Sequence, residues 1–98
     1  MKIQFIDHNG AKIGVFWDIN NAECSFQADK VQETEVLWLG VNIDMQGKPA
    51  FRMCLDKKQI AVINEILKQF LDTGKTPTNP EEMPQSIKIN ENIIKNEQ

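Results

Sequence analysis

Short apolar alternations separated by turn-forming residues fill the first 56 positions of the chain, and a single helical periodicity follows them. Asn9-Gly10, Asn20-Asn21 and Asp44-Met45-Gln46-Gly47 interrupt the alternation at close intervals. Connections this short join antiparallel neighbours, because a parallel crossover needs about a dozen residues or more. The pattern therefore predicts consecutive β-hairpins closed by one helix.

The apolar spacing also suggests registers. A two-residue turn at Asn9-Gly10 would set Phe5 opposite Gly14 and put Phe5 and Val15 on opposite faces. A three-residue loop, His8-Asn9-Gly10, instead pairs Phe5 with Ile13 and Ile3 with Val15, which gathers the apolar side chains on one face and is the expected register. A two-residue turn at Asn20-Asn21 pairs Trp17 with Cys24 and Val15 with Phe26, giving a third strand over 22–28. The polar stretch 29–34 reads as a loop. Glu35–Asp44 (EVLWLGVNID) is the fourth strand. Asp44 and Gly47 suit a bulged turn that pairs Val41 with Phe51, Leu39 with Met53 and Leu37 with Leu55, so that PAFRMCL forms the fifth strand.

The helix is well marked. Asp56 can cap its N-terminus, with Gln59 completing a capping box, and Gly74 suits its C-terminal end. Ile60, Ile63, Leu67, Phe70 and Leu71 share one face, and Asn64, Glu65, Lys68 and Gln69 the other. The expected fold is α+β: a five-stranded antiparallel β-meander with one amphipathic helix packed across its inner face, a single domain over 1–74. Residues 75–98 form a polar tail in which Pro77, Pro80 and Pro84 exclude regular helix from 76 to 85. Within it, 86–95 has the pattern of a short strand (SIKI) or of a helical turn capped by Asn90.

The net charge of −3 argues against a general duplex-DNA binder, which needs many cations to displace counterions from phosphate. No apolar run approaches the roughly 20 residues of a membrane helix, and the N-terminus lacks the pattern of a signal peptide. Two cysteines, Cys24 and Cys54, then fit free thiols in a cytoplasmic protein. Abundant Ile, Asn and Lys hint at an AT-rich bacterial, phage or mobile-element genome.

Trp38 poses the functional question. Leu37, Leu39, Val41 and Ile43 point to one face of the fourth strand, while Val36 and Trp38 point to the other. The expected registers put Lys2, Phe16, Ser25, Trp38 and Cys54 in one row on the sheet's outer face. Arg52 stands in the next row, with Ile6, Lys12 and Val36 further along. Three occupants compete for this mixed apolar and basic patch. The C-terminal segment can fold back and cover it with Ile87, Ile89, Ile93 or Ile94, since large exposed apolar patches are uncommon on monomers. A protein partner or a second copy can dock on Phe16, Trp38, Arg52, Val36 and Ile6, as Trp and Arg are typical interface anchors. Single-stranded nucleic acid can stack on Phe16 and Trp38 while Lys2, Lys12 and Arg52 meet phosphates. Glu23, Asp18 and the acidic balance weigh against this last alternative.

An antiparallel sheet followed by one amphipathic helix resembles, in layout alone, the transcription-coactivator type of single-strand-binding domain; no residue motif accompanies the likeness.

Catalytic chemistry has no footing in the sequence. His8 is the one histidine and lies in a predicted hairpin loop without companion ligands, so no metal site is expected. No phosphate-cradling glycine loop, nucleophile elbow or cofactor motif occurs. Glu81-Glu82 lie between prolines, and Asp7, Asp44 and Asp56 are accounted for by turns and a cap. Gly14 and Gly40, inside strands, mark bulges or close approaches, with Gly40 beside Arg52. The expected function is binding, not catalysis, by a small interaction protein that homodimerises or docks a protein through the outer sheet face.

Overall fold

Four hairpin connections in the computed structural model, which describes residues 1–85, set the register of the whole sheet. The strands are β1 (Gln4–His8), β2 (Ala11–Trp17), β3 (Glu23–Val31), β4 (Thr34–Ile43) and β5 (Arg52–Asp56), hydrogen-bonded in sequence order. Every neighbouring pair is antiparallel. The α+β class and the five-stranded meander expected from the sequence are thus present. The chain divides into two units, the sheet unit Met1–Lys57 and a second unit that begins at Lys58.

The first turn is the tight one. Asn9 (φ 54°) and Gly10 (φ 85°) both adopt the left-handed region between the paired residues His8 and Ala11. This is a two-residue turn whose twist matches that of the flanking strands. Phe5 consequently faces Gly14 and Ile6 faces Ile13, which corrects the expected pairing of Phe5 with Ile13 by one residue.

The second turn is the bulged one. Asp18 N–H donates to the Ala22 carbonyl (3.1 Å) and Asn21 N–H to the Asp18 carbonyl (3.0 Å), with Asn21 at φ 63°. The Asp18 carboxylate accepts from the N–H groups of Asn20 (2.8 Å) and Ala22 (3.0 Å). Trp17 therefore pairs with Glu23 and Val15 with Ser25, not with Cys24 and Phe26 as the spacing suggests.

The stretch read as a loop is a hairpin. β3 runs on to Val31, β4 begins at Thr34, and only Gln32 (φ 50°) and Glu33 (φ 70°) separate them. Phe26 faces Leu39, and Gln27 faces Trp38.

The fourth turn follows expectation. Asp44 accepts on its side chain from the N–H groups of Gln46 and Lys48 (both 2.9 Å), Gly47 sits at φ 81°, and Leu37 pairs with Leu55 and Leu39 with Met53. Its hydrogen bonds repeat those of the second turn, with Asp44 and Gly47 in the places of Asp18 and Asn21. β5 is shorter than expected and starts at Arg52, preceded by a single bridge between Ile43 and Pro49.

Opposed residues share a face, so these registers sort the side chains. Phe5, Phe16, Cys24, Phe26, Leu37, Leu39, Val41, Met53 and Leu55 form an apolar face. Phe26 lies across Gly14 between Phe5 and Phe16, with both ring-to-ring distances 6.4 Å. Ile6, Ile13, Val15, Trp17, Ser25, Gln27, Trp38, Arg52 and Cys54 form a mixed face. The most buried residues of the sheet, Val15, Ala22, Cys24 and Ser25, cluster in the second hairpin.

In the second unit, α1 runs through Lys57–Thr73, starting one residue earlier than the unit itself. Gly74 (φ 75°) ends it, its N–H donating to the Phe70 carbonyl at 2.7 Å. Only glycine adopts that backbone at little cost. The proline-containing stretch has no regular α-helix at 76–84 but forms a short 3-10 turn, Pro80–Glu82, capped by Asn79. The expected strand or helical turn at 86–95, and the covering role given to Ile87, Ile89, Ile93 and Ile94, lie outside the described residues.

Candidate functional site

The site is built around the chain's one arginine. Arg52 opens β5 and pairs with Gly40 on β4, which pairs in turn with Ser25 on β3. Ser25 is therefore two strands away, about 9–10 Å across the sheet. Arg52 spans that gap across Gly40, which carries no side chain. A Cβ at Gly40 would stand 3.0 Å from the Arg52 Cα and 3.2 Å from the Phe51 carbonyl oxygen, and the backbone there has φ 148°.

Three contacts hold the guanidinium. Nη1 donates to the side-chain oxygen of Gln27 (3.1 Å) and to Ser25 Oγ (3.4 Å). Its central carbon lies 5.7 Å from the centroid of the Trp38 ring, within cation–π range. Trp38 is itself fixed, since its indole N–H donates to the Asp29 carboxylate at 3.1 Å.

A relay continues behind the arginine. Ser25, only 1% exposed, donates to Asn42 Oδ1 at 2.8 Å. Asn42 Nδ2 then donates to the Glu23 carboxylate at 3.4 Å. A slip in register between Glu23 and Cys24 makes Asn42 the extra residue of a bulge. Bulges re-aim side chains, and this one brings Asn42 to the serine. The most deeply buried hydroxyl thus both accepts and donates, so it carries no desolvation penalty for an unmade bond.

Beside the relay the mixed face forms a hollow of about 470 Å³, lined by Gln4, Ile6, Val15, Trp17, Gln27 and Arg52 among others. That volume falls within the usual range for ligand sites. It presents an aromatic wall at Trp17, amide side chains, the Arg52 cation and the Glu23 carboxylate.

Of the residues expected to bind a partner, Ile6, Val36, Trp38 and Arg52 share this face, and Cys54 stands opposite Trp38. Phe16 does not join them. It pairs with Cys24 and belongs to the apolar face, because the tight first turn and bulged second turn reverse the orientation of β2. The nucleic-acid grouping is corrected for the same reason. Lys12 sits opposite Asp7 on the face of Phe16 and pairs with it at 3.1 Å, and Lys2 precedes β1. These cations and Phe16 are not assembled with Trp38 into one stacking surface.

Trp17, Glu23, Gln27 and Asn42 are site residues that the sequence reading misses. The signal for Trp17 is the match of Asp18-Ile19-Asn20-Asn21 to Asp44-Met45-Gln46-Gly47, which implies the same bulged turn and sends Trp17 to the mixed face.

The thiols occupy different settings. Cys24 is buried on the apolar face and Cys54 is exposed on the mixed face, both unpaired. Burial pushes the Cys24 thiol above its ordinary range, and the negative charges of Asp18 and Glu23 push the same way. Among the described residues no cluster of His, Cys, Asp and Glu is arranged to hold a metal ion, and no helix is long and apolar enough to cross a membrane.

The class defined here is an antiparallel meander that presents one pre-ordered arginine beside a polar hollow. Comparison with protein-family models, curated proteins and solved structures finds no match to this chain.

Proposed function

We propose that this protein is a non-catalytic interaction module that binds a protein partner, or a second copy of itself, through the mixed face of its sheet. Ile6, Val36, Trp38 and Arg52 are its contacts. The observation that carries the reading is the ordered Arg52–Trp38 pair. Ser25, Gln27 and Asp29 restrict both side chains before any partner arrives. Ordering long side chains in advance lowers the entropic cost of association, and Trp and Arg are the residues that most often dominate interface energies. The reading puts the module in the cytoplasm, where thiols such as Cys24 and Cys54 stay reduced. It takes the Ile-, Asn- and Lys-rich composition as a sign of a bacterial, phage or mobile-element gene.

The test uses Trp38→Ala, with two readouts. Light scattering across a concentration series reports self-association. Capture from a nuclease-treated lysate of the source organism, with Cys54 labelling before and after, reports a foreign partner. Loss of association with Trp38→Ala, together with protection of Cys54 in the wild-type complex, supports the module. Unchanged association at lowered thermal stability makes the Trp38–Arg52 pair a stabilising feature only and refutes the reading. Binding that vanishes with nuclease and falls steeply with salt would assign the face to nucleic acid instead.

A further inference from the structure

We infer that the mixed face recognises an acidic segment of its polypeptide partner by seating a carboxylate on Arg52. This deepens the docking reading and rests on it. A guanidinium carries five N–H donors in a fixed fork. Among the described residues, Nη1 makes both of its hydrogen bonds, to Gln27 and Ser25. Nε and Nη2 remain, and these two form the side-on edge that grips a carboxylate through two parallel hydrogen bonds.

The charge on that edge is also unspent. Lys12 pairs with Asp7, Lys57 with Glu35 and Lys68 with Glu65, whereas the partners of Arg52 among the described residues are Gln27, Ser25 and Trp38. Three carboxylates lie on the same face: Asp56, four residues along β5 from Arg52 and opposite Val36, and Asp29 and Glu23, which are engaged elsewhere. Asp29 accepts from the Trp38 indole, and Glu23 accepts from Asn42 at the far end of the relay. Arg52 is thus oriented by neutral acceptors and an aromatic ring, which fix its plane without neutralising it.

The hollow explains why the ligand is a segment rather than a lone ion. Its 470 Å³ exceed what one carboxylate fills, and Gln4, Gln27 and Trp17 line the remainder with amide groups and an aromatic wall suited to peptide backbone. Glu23 also lines the hollow, so an acidic residue is favoured only on the Arg52 fork and disfavoured beside that carboxylate.

Because Arg52 is the chain's one arginine, its Nε–H gives a single arginine side-chain signal in an amide correlation spectrum of the full-length protein. That signal is followed at low salt during titration with a blocked tripeptide of glutamates, its glutamine counterpart and glutarate. A saturable shift with the glutamate peptide is expected, with the glutamine peptide and glutarate each weaker by about tenfold or more. No shift with the glutamate peptide overturns the inference. Equal response to the glutamine peptide means that charge is not read, and equal response to glutarate means that a free anion suffices; either result also overturns it. Tryptophan fluorescence repeats the titration on Arg52→Lys, which keeps the charge and loses the fork; undiminished affinity in that variant counts against the carboxylate fork. A silent Nε beside a Trp38-dependent complex would sink the carboxylate and spare the docking reading. A responsive Nε beside a Trp38-independent complex would do the reverse.

Discussion

Gly14→Ala should destabilise the sheet, although general propensity says the opposite. Gly14 lies inside β2 without a positive φ, so alanine fits its backbone and should gain about 0.4–1 kcal/mol by restricting the unfolded chain. The structure reverses that sign. A Cβ at this position would stand inside the ring of Phe26, which lies across the glycine from the neighbouring strand. The ring must swing away from Phe5, which it meets edge-on at 82°, and from Phe16 at 35°. Each aromatic pair is worth about 0.5–1.5 kcal/mol, and overfilling a packed site costs about 1–3 kcal/mol. Set against the entropic gain, a net loss of about 2 kcal/mol is expected, or a fall in Tm of about 8–16 °C for a chain of this size. Urea unfolding followed by tryptophan fluorescence and far-ultraviolet circular dichroism measures it. A double-mutant cycle assigns the cause: with Phe26→Leu in place, Gly14→Ala should cost little or become stabilising, a coupling of at least about 1 kcal/mol. A neutral Gly14→Ala, or the same cost with and without the ring, would refute the packing argument and with it the bulged second turn that sets Phe26 opposite Gly14.

Three further outcomes follow from the geometry. Gln32 and Glu33 hold left-handed backbone without being Asn or Gly, so replacing them by Asn and Gly should raise stability by about 1–2 kcal/mol, seen as a higher urea midpoint at unchanged slope. Cys54 should react with a disulfide reagent at once, and Cys24 only as fast as the protein unfolds, because burial and the nearby Asp18 and Glu23 raise its thiol pKa; two equally fast thiols would contradict this. Glu82 accepts from Thr78 N–H (2.8 Å) and Thr78 Oγ1 (3.0 Å), which lowers its carboxyl pKa below the ordinary value. A group depressed in the folded state stabilises above its unfolded pKa and stops doing so as pH falls through the folded one. The Thr78 amide shift should therefore hold through the normal glutamate range and change only at lower pH, while Glu82→Gln should remove that titration.

Much of this was legible in the sequence, but the part that decides the site was not. Class, strand count, helix span and the pairing of Trp38 with Cys54 follow from alternation, from the 3.6-residue period and from Asp44 and Gly47, which fit one turn only. The first two turns are harder, because two principles conflict there. Gathering the apolar side chains on one face makes the first turn bulged and the second tight. Turn chemistry makes Asn9-Gly10 tight and Asp18–Asn21 bulged, and turn chemistry prevails. Each error is one residue, yet one residue exchanges the faces of a strand. Phe16 leaves the candidate site, Trp17 enters it, and Gln27 replaces Ser25 beside Trp38. Gln32-Glu33 offers no turn signature at all, so the register between β3 and β4 was beyond local reasoning.

The glycines inside the strands supply the check that apolar clustering lacks. In the clustered register Phe26 would face Val15, and Gly14 would have no reason to be glycine. In the observed one, Phe26 has room because Gly14 lies beneath it, while Gly40, which Arg52 crosses to reach Ser25, is held to glycine by φ 148° and by the close β5 backbone. The two overlays occupy opposite faces of one sheet. One secures an aromatic cluster, and the other carries a cation across two strands to the edge of a hollow. At Gly14 the strand-interior glycine marks the long neighbour that crosses it, and at Gly40 it marks a close backbone approach. Asking what each such glycine makes room for constrains register where hydrophobic pattern alone misleads.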